Sequence, residues 1–149
     1  MCDVSHMWVC DSFRTYLSTD AFGGALEKFR QNLHALAERS DSLSGVNSDA
    51  NNVAGWTDFL HELESVSGRA SELNSFVGCQ AAADANDKLF QQLEGRLSAL
   101  DPLRERIATN VEFALKSASE SDVSAFIAAD EWLREIAFYI GDRRRNAEL

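Results

Sequence analysis

Apolar residues recur along the first third of this chain at the spacing of an α-helix. Five large apolar side chains are separated by steps of four and three residues: Phe22, Leu26, Phe29, Leu33 and Leu36. Such steps place all five on one stripe of a helix, which can be buried against a neighbour. The hydroxyl and carboxylate side chains at 18–20 can accept hydrogen bonds from the free amides at its start. The pattern predicts a first helix that ends where the polar loop 40–52 begins.

Two further stripes follow this loop. The longer one would make about six helical turns and comprises Trp56, Phe59, Leu60, Leu63, Val66, Ala70, Leu73 and Val77. We expect the second helix to end near Gly78, because glycine is common just past a helix C-terminus. The segment Asp84–Asp87 offers capping oxygens for a third helix. The apolar stripe of that third helix is Leu89, Leu93, Leu97 and Leu100.

The only proline, Pro102, leaves two readings open. Asp101 and Pro102 can be a cap and a first-turn proline that open a new helix containing Leu103, Ile107, Val111 and Leu115. Alternatively, Pro102 can kink one continuous helix, since the apolar spacing continues across it with little change of phase. We favour one long, bent helix.

The last third of the chain repeats the helical pattern in shorter pieces. Small polar residues at 117–122 interrupt it, and a brief apolar patch then predicts about two turns, formed by Val123, Phe126 and Ile127. A final stripe comprises Trp132, Leu133, Ile136, Tyr139 and Ile140. Arg143, Arg144 and Arg145 suit the negative end of that helix dipole and make a basic spot on an acidic chain.

These patterns together predict an all-α fold. We find no run that alternates apolar and polar residues in the manner of a strand. The expected architecture is an antiparallel helical bundle or helical-hairpin array of five or six helices. Residues 18–149 form a single helical domain in this interpretation, and residues 1–17 form an N-terminal segment whose order the pattern leaves open.

Composition narrows the classes of partner and compartment. The chain has 24 acidic and 14 basic side chains and a formal charge of -10, which repels nucleic acid. No stretch reaches the roughly 20 apolar residues that a membrane span requires. Cys2, Cys10 and Cys79 are an odd, sparse set, which favours free thiols in a reducing compartment. We therefore expect a soluble, cytoplasmic protein without a nucleic-acid or membrane partner.

Two segments contain metal-ligand residues, and neither completes a site. His61-Glu62-Leu63-Glu64-Ser65 begins like a zinc-peptidase helix, but Ser65 stands where the second histidine would be needed. A solvated helix face is the favoured interpretation. Cys2, His6 and Cys10 would share a face if the N-terminus were helical, yet no fourth ligand is evident.

The remaining reactive and aromatic residues do not assemble into a catalytic group. His34 and His61 lie on different predicted helices, and no nucleophile with an orienting acid can be placed beside them. Trp8, Trp56 and Trp132 are interpreted as packing residues. Glu112 and Lys116 have the favourable order for an ion pair within a helix. We assign no catalytic, cofactor-binding or metal-binding residue to this chain.

Several segments, taken in order, give the chain a likeness to a known family. They are Leu73-Asn74-Ser75-Phe76-Val77, Ala83-Asp84-Ala85-Asn86-Asp87, Leu89-Phe90-Gln91-Gln92-Leu93-Glu94, Leu97 to Ile107, and Trp132 to Ile140 with Arg143 to Arg145. Their succession resembles the N-terminal helical region of oligoendopeptidase F-like zinc metallopeptidases, relatives of thimet oligopeptidase. Trp8 and Phe13 fit more loosely, so the resemblance covers the chain from about Trp8 onward.

The resemblance implies a role in shaping a substrate channel rather than in breaking bonds. In that family the zinc ion is held by a His-Glu-x-x-His helix and a downstream glutamate, which lie far beyond the segment that this chain resembles. The chain alone is therefore expected to be inactive, with zinc and short-peptide hydrolysis belonging to a catalytic part absent here. The chain stops at Leu149, so it is either a fragment of such a peptidase or a small stand-alone protein.

A second hypothesis comes from a different class of protein. A helical domain with an exposed apolar face can bind a partner helix and act as a stand-alone protein-protein interaction or dimerisation module without enzymatic activity. Self-association is compatible with both hypotheses. Peptide preference and oligomeric state do not follow from the pattern.

Overall fold

The computed structural model describes residues 19–83 and 88–147, and they fold into helices. The helices, in chain order, are α1 (Thr19–Asp41), α2 (Ala50–Ala83), α3 (Lys88–Ser98), α4 (Asp101–Ser117), α5 (Glu120–Ala128), α6 (Glu131–Glu135) and α7 (Ala137–Asn146). No strand occurs within these described ranges. The all-α fold class is confirmed. The predicted capping segment Asp84–Asp87 lies outside the described residues, as does the N-terminal segment 1–17.

The apolar stripe of α1 is buried as predicted. Its members expose 2% or less of their surface: Phe22, Leu26, Phe29, Leu33 and Leu36. Side chains at steps of three and four residues lie above one another on a helix, so a single neighbouring surface can cover them all. Burial of this stripe supplies the hydrophobic stabilisation of α1.

Helix α2 is longer at both ends than the sequence predicts. It begins at Ala50, inside the segment expected to be loop, and continues through Gly78 to Ala83. A methyl group added at Gly78 would meet nothing within 4 Å, so this glycine serves no close packing contact. The prediction that the helix ends near Gly78 is wrong, because a glycine inside a long, well-packed helix costs only about 1 kcal/mol relative to alanine.

Pro102 separates two helices rather than bending one. Helix α3 ends at Ser98, and Pro102 is the second residue of α4. The ring of a proline clashes with the carbonyl four residues earlier, which here belongs to Ser98, and proline cannot donate the corresponding hydrogen bond. The turn between the helices is closed instead by hydrogen bonds from Ala99 N to Gly95 O and from Leu100 N to Leu97 O. The prediction of one continuous, bent helix is wrong.

The end of the chain also breaks where the sequence predicts one helix. Ile136 ends α6 and precedes α7, with φ −99° and ψ 17°, and its amide donates to the carbonyls of Trp132 and Arg134. The amide of Ile140 then donates to Ile136 O at 3.1 Å, which restarts the helix. Leu133 and Ile140 remain buried on either side of the break.

Short polar side chains begin the small helices. The Ser119 hydroxyl accepts from the amide of Asp122 at the start of α5. The Asp130 carboxylate accepts from the amides of Trp132 and Leu133 at the start of α6. Such caps satisfy amides that a helix leaves without intrahelical partners.

The chain divides into two compact units. Unit 1 comprises Met1–His34 and Ser65–Pro102. Within its described part, the rings of Phe22 and Phe76 stack with centroids 5.1 Å apart. The buried residues of α3, Leu93 and Leu97, also belong to this unit.

Unit 2 comprises Ala35–Glu64 and Leu103–Leu149. The indole of Trp56 is its aromatic centre, because the rings of Phe59 and Phe126 each approach it edge-on at 6.1 Å between centroids. Ile107 and Leu133 are also fully buried in this unit. The prediction of a single domain over 18–149 stays a prediction.

Candidate functional site

The segment His61 to Ser65 lies in the middle of α2, and two of its polar side chains, His61 and Glu62, have structural partners. The imidazole of His61 stacks on the indole of Trp132 with ring centroids 3.7 Å apart and an interplanar angle of 21°. Glu62 forms an ion pair with Arg39. Ser65 occupies the position of the missing second histidine. Through His61 and Glu62, the segment therefore holds elements of unit 2 together.

Arg39 connects α1 to α2 within unit 2. Its guanidinium donates to Glu62 and, at 2.9 Å, to Asp58 Oδ2, and its central carbon lies 5.8 Å from the centroid of the Phe59 ring. Asp58 and Glu62 are four residues apart, so one helix face presents both carboxylates to one cation. All three charged side chains are at least 40% exposed, so the cluster remains open to solvent.

A second polar cluster, between the end of α1 and α4, has no counterpart among the sequence predictions. Arg106 Nε donates to Asp41 Oδ1 at 3.0 Å, and the Asn110 amide donates to Asp41 Oδ1 and to Ser40 Oγ at 2.9 Å each. The hydrogen bonds from Arg106 lower the pKa of the Asp41 carboxyl, while desolvation opposes them and Asn110 assists them. Ser40 is buried, at 2% exposure. These groups stabilise a helix junction.

The three arginines of α7 each contact another residue of the protein. Arg143 Nη1 contacts Glu112 Oε1 at 3.3 Å and its guanidinium lies over the Tyr139 ring, with 5.3 Å between the central carbon and the centroid. Arg144 donates to Ala118 O at 3.1 Å. Arg145 pairs with Asp142 at 3.6 Å. The basic spot expected from the sequence is thus largely neutralised by these partners.

Tyr139 lies partly covered beside Arg143. Burial raises the pKa of its phenol, whereas the positive charge of Arg143 and its hydrogen bond lower that pKa, and Glu112 raises it. Lys116, one turn beyond Glu112 on α4, donates from Nζ to Ala147 O at 3.0 Å. Glu112 and Lys116 therefore each contact a residue near the end of the chain, Arg143 and Ala147 respectively.

The histidines and cysteines that could bind a metal ion are not brought together among the described residues. His34 is exposed on α1 in unit 1, whereas His61 belongs to unit 2. Cys2, His6 and Cys10 lie outside the described residues. Across residues 19–83 and 88–147, no group of three or more His, Cys, Asp or Glu side chains is arranged to hold a metal ion.

The cysteine prediction needs one correction. Cys79, near the end of α2, is disulfide-bonded, and its partner lies outside the described residues. The expectation of free thiols is therefore wrong for Cys79. Free thiols are the basis for expecting a reducing compartment, so the cysteines give less support to that expectation. Within the described part of the chain, no helix combines the length and apolar character that crossing a membrane requires.

Two of the three tryptophans are in the described part. Trp56 is buried, at 2% exposure, and its Nε1 donates to Ser44 O at 3.0 Å. Trp132 is half-buried against His61. Both contribute to packing, as predicted from their helical stripes, while Trp8 lies outside the described residues.

Each unit has a surface cavity. The cavity of unit 2, about 240 Å³ in volume, is lined by the loop after α1 and the first turns of α2, including Arg39, Asn52 and Trp56. Its polar groups are engaged: Asn52 accepts from Asn47 N at 2.9 Å and donates to Gly45 O at 3.0 Å. We refer to the larger one, in unit 1, as the α1–α2 cleft.

The α1–α2 cleft has a volume of about 400 Å³. Phe29 and Val66 also line it but are almost fully buried, so little of their surface is open to the cleft. Lys28, Asn32, Ser65 and Arg69 are exposed and contribute polar groups. Sequence reasoning misses this cleft, because Lys28 and Arg69 belong to different helices and are distant in the chain.

Comparisons with known proteins do not assign the chain to a family. No protein-family model, curated protein or solved structure matches the chain. The structure defines an all-α protein, and the proposals for its function rest on the sequence resemblance and on the surfaces described above.

Proposed function

We propose that this chain is the N-terminal helical region of an oligoendopeptidase F-like zinc metallopeptidase, with the zinc-binding catalytic part absent from the chain. The supporting observation is the order of the sequence segments that resemble that family. Leu73 to Val77 lies in the second half of α2, and Leu89 to Glu94 lies in α3. Trp132 to Ile140 spans α6 and the start of α7. These segments are helical, and Ile136 interrupts the last of them.

The proposed role is to form part of the wall of a substrate channel. A wall of packed helices excludes folded proteins and admits short peptides, so it determines which substrates reach the zinc ion without contributing a catalytic group. Cleavage would then depend on a His-Glu-x-x-His helix elsewhere in the enzyme, which would hold a zinc ion that supplies Lewis-acid chemistry for hydrolysis. Short peptides would be the substrates and zinc the cofactor of that whole enzyme.

The reading frame of the gene provides the first test. An open frame that continues past Leu149 to a His-Glu-x-x-His sequence would support the proposal. A stop codon directly after Leu149 would contradict it and would favour a stand-alone protein.

Peptide cleavage provides the second test. The purified chain, mixed with zinc and a quenched fluorescent peptide, should show no cleavage above buffer. Metal-dependent cleavage that is abolished by a chelator and restored by zinc would show that the chemistry lies within this chain and would overturn the division of labour proposed here.

A stand-alone dimerisation module is the second candidate, and two exposed aromatic side chains favour it. Phe138 on α7 is 81% exposed and Phe113 on α4 is 61% exposed, which is unusual for residues of this size. If a second copy of the chain covers them, Phe138→Ser should shift the sedimentation coefficient from dimer to monomer. A wild-type chain that stays monomeric at high concentration would exclude this candidate.

A further inference from the structure

One side of helix α7 is largely exposed, whereas Ile140 on its opposite side is buried at 1% exposure. The exposed side carries four residues at the i, i+3, i+4 and i+7 positions that share one helix face: Phe138, Gly141, Asp142 and Arg145. Phe138 is 81% exposed, and the side chains of Asp142 and Arg145 are 45% and 63% exposed. We call these four residues the α7 face.

The guanidinium of Arg145 lies across the middle of the α7 face. Its Nη2 is 3.6 Å from Asp142 Oδ1, and its Nη1 would lie 3.7 Å from a methyl carbon placed on Gly141. The pair with Asp142 is exposed and longer than a hydrogen bond, so it holds Arg145 weakly. An aromatic ring stacks on the plane of a guanidinium and leaves its N–H groups to other partners, so Asp142 does not prevent such a contact.

The α7 face is complementary to itself when two copies run in opposite directions. In an antiparallel pair of identical helices, positions 138 and 145 of one copy lie opposite positions 145 and 138 of the other, and positions 141 and 142 meet at the centre. Each Phe138 ring then meets the Arg145 guanidinium of the second copy, which is attracted to the face of the ring. A glycine at the centre lets the two backbones approach closely.

Helix α4 extends this surface. It lies beside α7, because Arg143 contacts Glu112 and Lys116 donates to Ala147 O. Phe113, next to Glu112, is 61% exposed. Helix α7 has only ten residues and is about 15 Å long. The surface is therefore small compared with stable interfaces, and we expect a weak dimer that dissociates at low concentration.

We propose that the α7 face binds the α7 face of a second copy in an antiparallel, two-fold symmetric contact. Each Phe138 ring stacks on the Arg145 guanidinium of the second copy, so the contact forms twice. This inference rests on the dimerisation module, the second candidate function, and adds the residues that form the dimer. A second copy is the partner that fits, because the face supplies both the ring and the cation.

Sedimentation equilibrium of the full chain at up to about 1 mM, a concentration that populates weak complexes, should show a concentration-dependent dimer. Arg145→Gln removes the cation from both contacts and should weaken dimerisation by about tenfold, and Phe138→Ser should weaken it further. Arg30→Gln and Leu89→Ser are matched controls at exposed positions of unit 1 and should leave the dimer unchanged. Circular dichroism establishes that each variant is folded.

Gly141→Gln separates docking from folding. Among the described residues, only Arg145 would meet a methyl group at this position, and glutamine favours a helix more than glycine does. The melting temperature of this variant should therefore not fall, whereas its dimerisation should weaken because the new side chain holds the helices apart. A dimer that Gly141→Gln leaves unchanged would contradict the close approach of the two α7 helices.

A mixture of two variants tests the reciprocal arrangement. A Phe138→Ser chain paired with an Arg145→Gln chain keeps one contact between Phe138 and Arg145, whereas neither variant keeps any when it pairs with itself. The mixed dimer should therefore be tighter than the mean of the two self-paired dimers by about threefold, beyond the statistical factor. Absence of this gain would overturn the contact.

The remaining outcomes separate the contact from dimerisation itself. A wild-type chain that is monomeric at about 1 mM would overturn both the contact and the dimerisation module. A dimer that Phe138→Ser and Arg145→Gln leave unchanged would overturn the contact alone, and the dimerisation module would stand.

Discussion

Among the described residues, the ion pairs of the two units differ in range. The ion pairs described in unit 1, Glu27 with Arg30 and Arg69 with Glu72, join residues three apart on one helix. In unit 2, charged side chains join different helices, as Arg39 does with Asp58 and Arg106 does with Asp41. The apolar stripes give each unit its core, and in unit 2 the polar contacts additionally fix how particular helix ends meet.

This difference has a physical consequence. Contacts between residues three apart form whenever the helix forms, so they add little information about tertiary structure. Contacts between distant residues form only when two helices reach the correct alignment. We therefore expect the described ion pairs between helices in unit 2 to add specificity to the alignment of those helices, which the described pairs within single helices of unit 1 do not.

Loss of a buried aromatic ring should have the largest effect and should be similar in both units. Phe22→Ala in unit 1 and Phe126→Ala in unit 2 each remove a ring from a fully buried position, so each should lower the free energy of unfolding by about 3–5 kcal/mol. Urea denaturation followed by circular dichroism measures this loss. Phe138→Ala, at an 81% exposed position, is the control and should change stability little. A loss below about 1 kcal/mol at Phe22 or Phe126 would contradict the assignment of a close-packed core.

Removal of a helix cap should have the next largest effect. Asp130→Ala leaves the amides of Trp132 and Leu133 without their acceptor and should cost about 1 kcal/mol. Ser119→Ala, which removes the cap of α5, provides the matched comparison within unit 2 and should cost a similar or smaller amount because it frees one amide, that of Asp122. Thermal unfolding of both variants measures the difference. An Asp130→Ala protein as stable as wild type would mean that water replaces the cap.

Acid titration should distinguish the two kinds of carboxylate. The pKa of Asp41 is lowered mainly by hydrogen bonds from Arg106, and the pKa of Glu27 is lowered mainly by its hydrogen bond with Arg30. A carboxyl whose pKa is lower in the folded chain stabilises it above the unfolded pKa, about 4, and that stabilisation is lost as the pH falls through the folded pKa. Asp41→Asn should therefore reduce the acid dependence of stability.

Glu27 in unit 1 provides the matched case, a carboxylate paired within one helix. Glu27→Gln should reduce the acid dependence less than Asp41→Asn does, because the pair of Glu27 and Arg30 can also form in a helix without tertiary structure. Urea denaturation at several pH values below 6 measures both. Equal effects would show that the range of a polar contact does not determine its contribution here.

The smallest effect concerns the phenol of Tyr139. Burial raises its pKa and Arg143 lowers that pKa, so Arg143→Gln should raise it further. A raised phenol pKa stabilises the fold below the unfolded pKa, about 10, and this stabilisation is lost as the pH rises through the folded pKa. Phenolate absorbance in a Tyr16→Phe background, which leaves one tyrosine, measures the shift. Arg145→Gln is the matched control, since Arg145 pairs with Asp142. An unchanged or lower pKa in Arg143→Gln would refute the contact.

The sequence is sufficient to predict the fold class and much of the core. The stripe from Phe22 to Leu36 is predictable because helix period and burial are local properties of the chain. Helix ends are harder to predict. The periodicity around Pro102 fits both one kinked helix and two separate helices. The steric clash that Pro102 would make with Ser98 O in a continuous helix decides between them only when the preceding backbone is known. Gly78 resembles a terminator in the sequence, but nothing packs closely on it.

The candidate sites cannot be predicted in the same way. Asp41 and Arg106 are 65 residues apart, and no pattern within either helix indicates that they meet. The α1–α2 cleft is likewise formed by residues of two helices that are distant in the chain. In the sequence, Lys28 and Arg69 each look like an ordinary surface cation on its own helix. Juxtaposition of distant residues is a property of the tertiary structure, which sequence periodicity does not determine.

The loop after α1 is tied to the first turns of α2. Asn52 and Trp56 bind the backbone of Asn47, Gly45 and Ser44 from one side, and a methyl group on Gly45 would come within 2.9 Å of Ser117 Oγ. Connections between helices are the usual places for protease cleavage, for insertion of a tag and for circular permutation, because their backbone is free to rearrange. This one is a poor choice for all three.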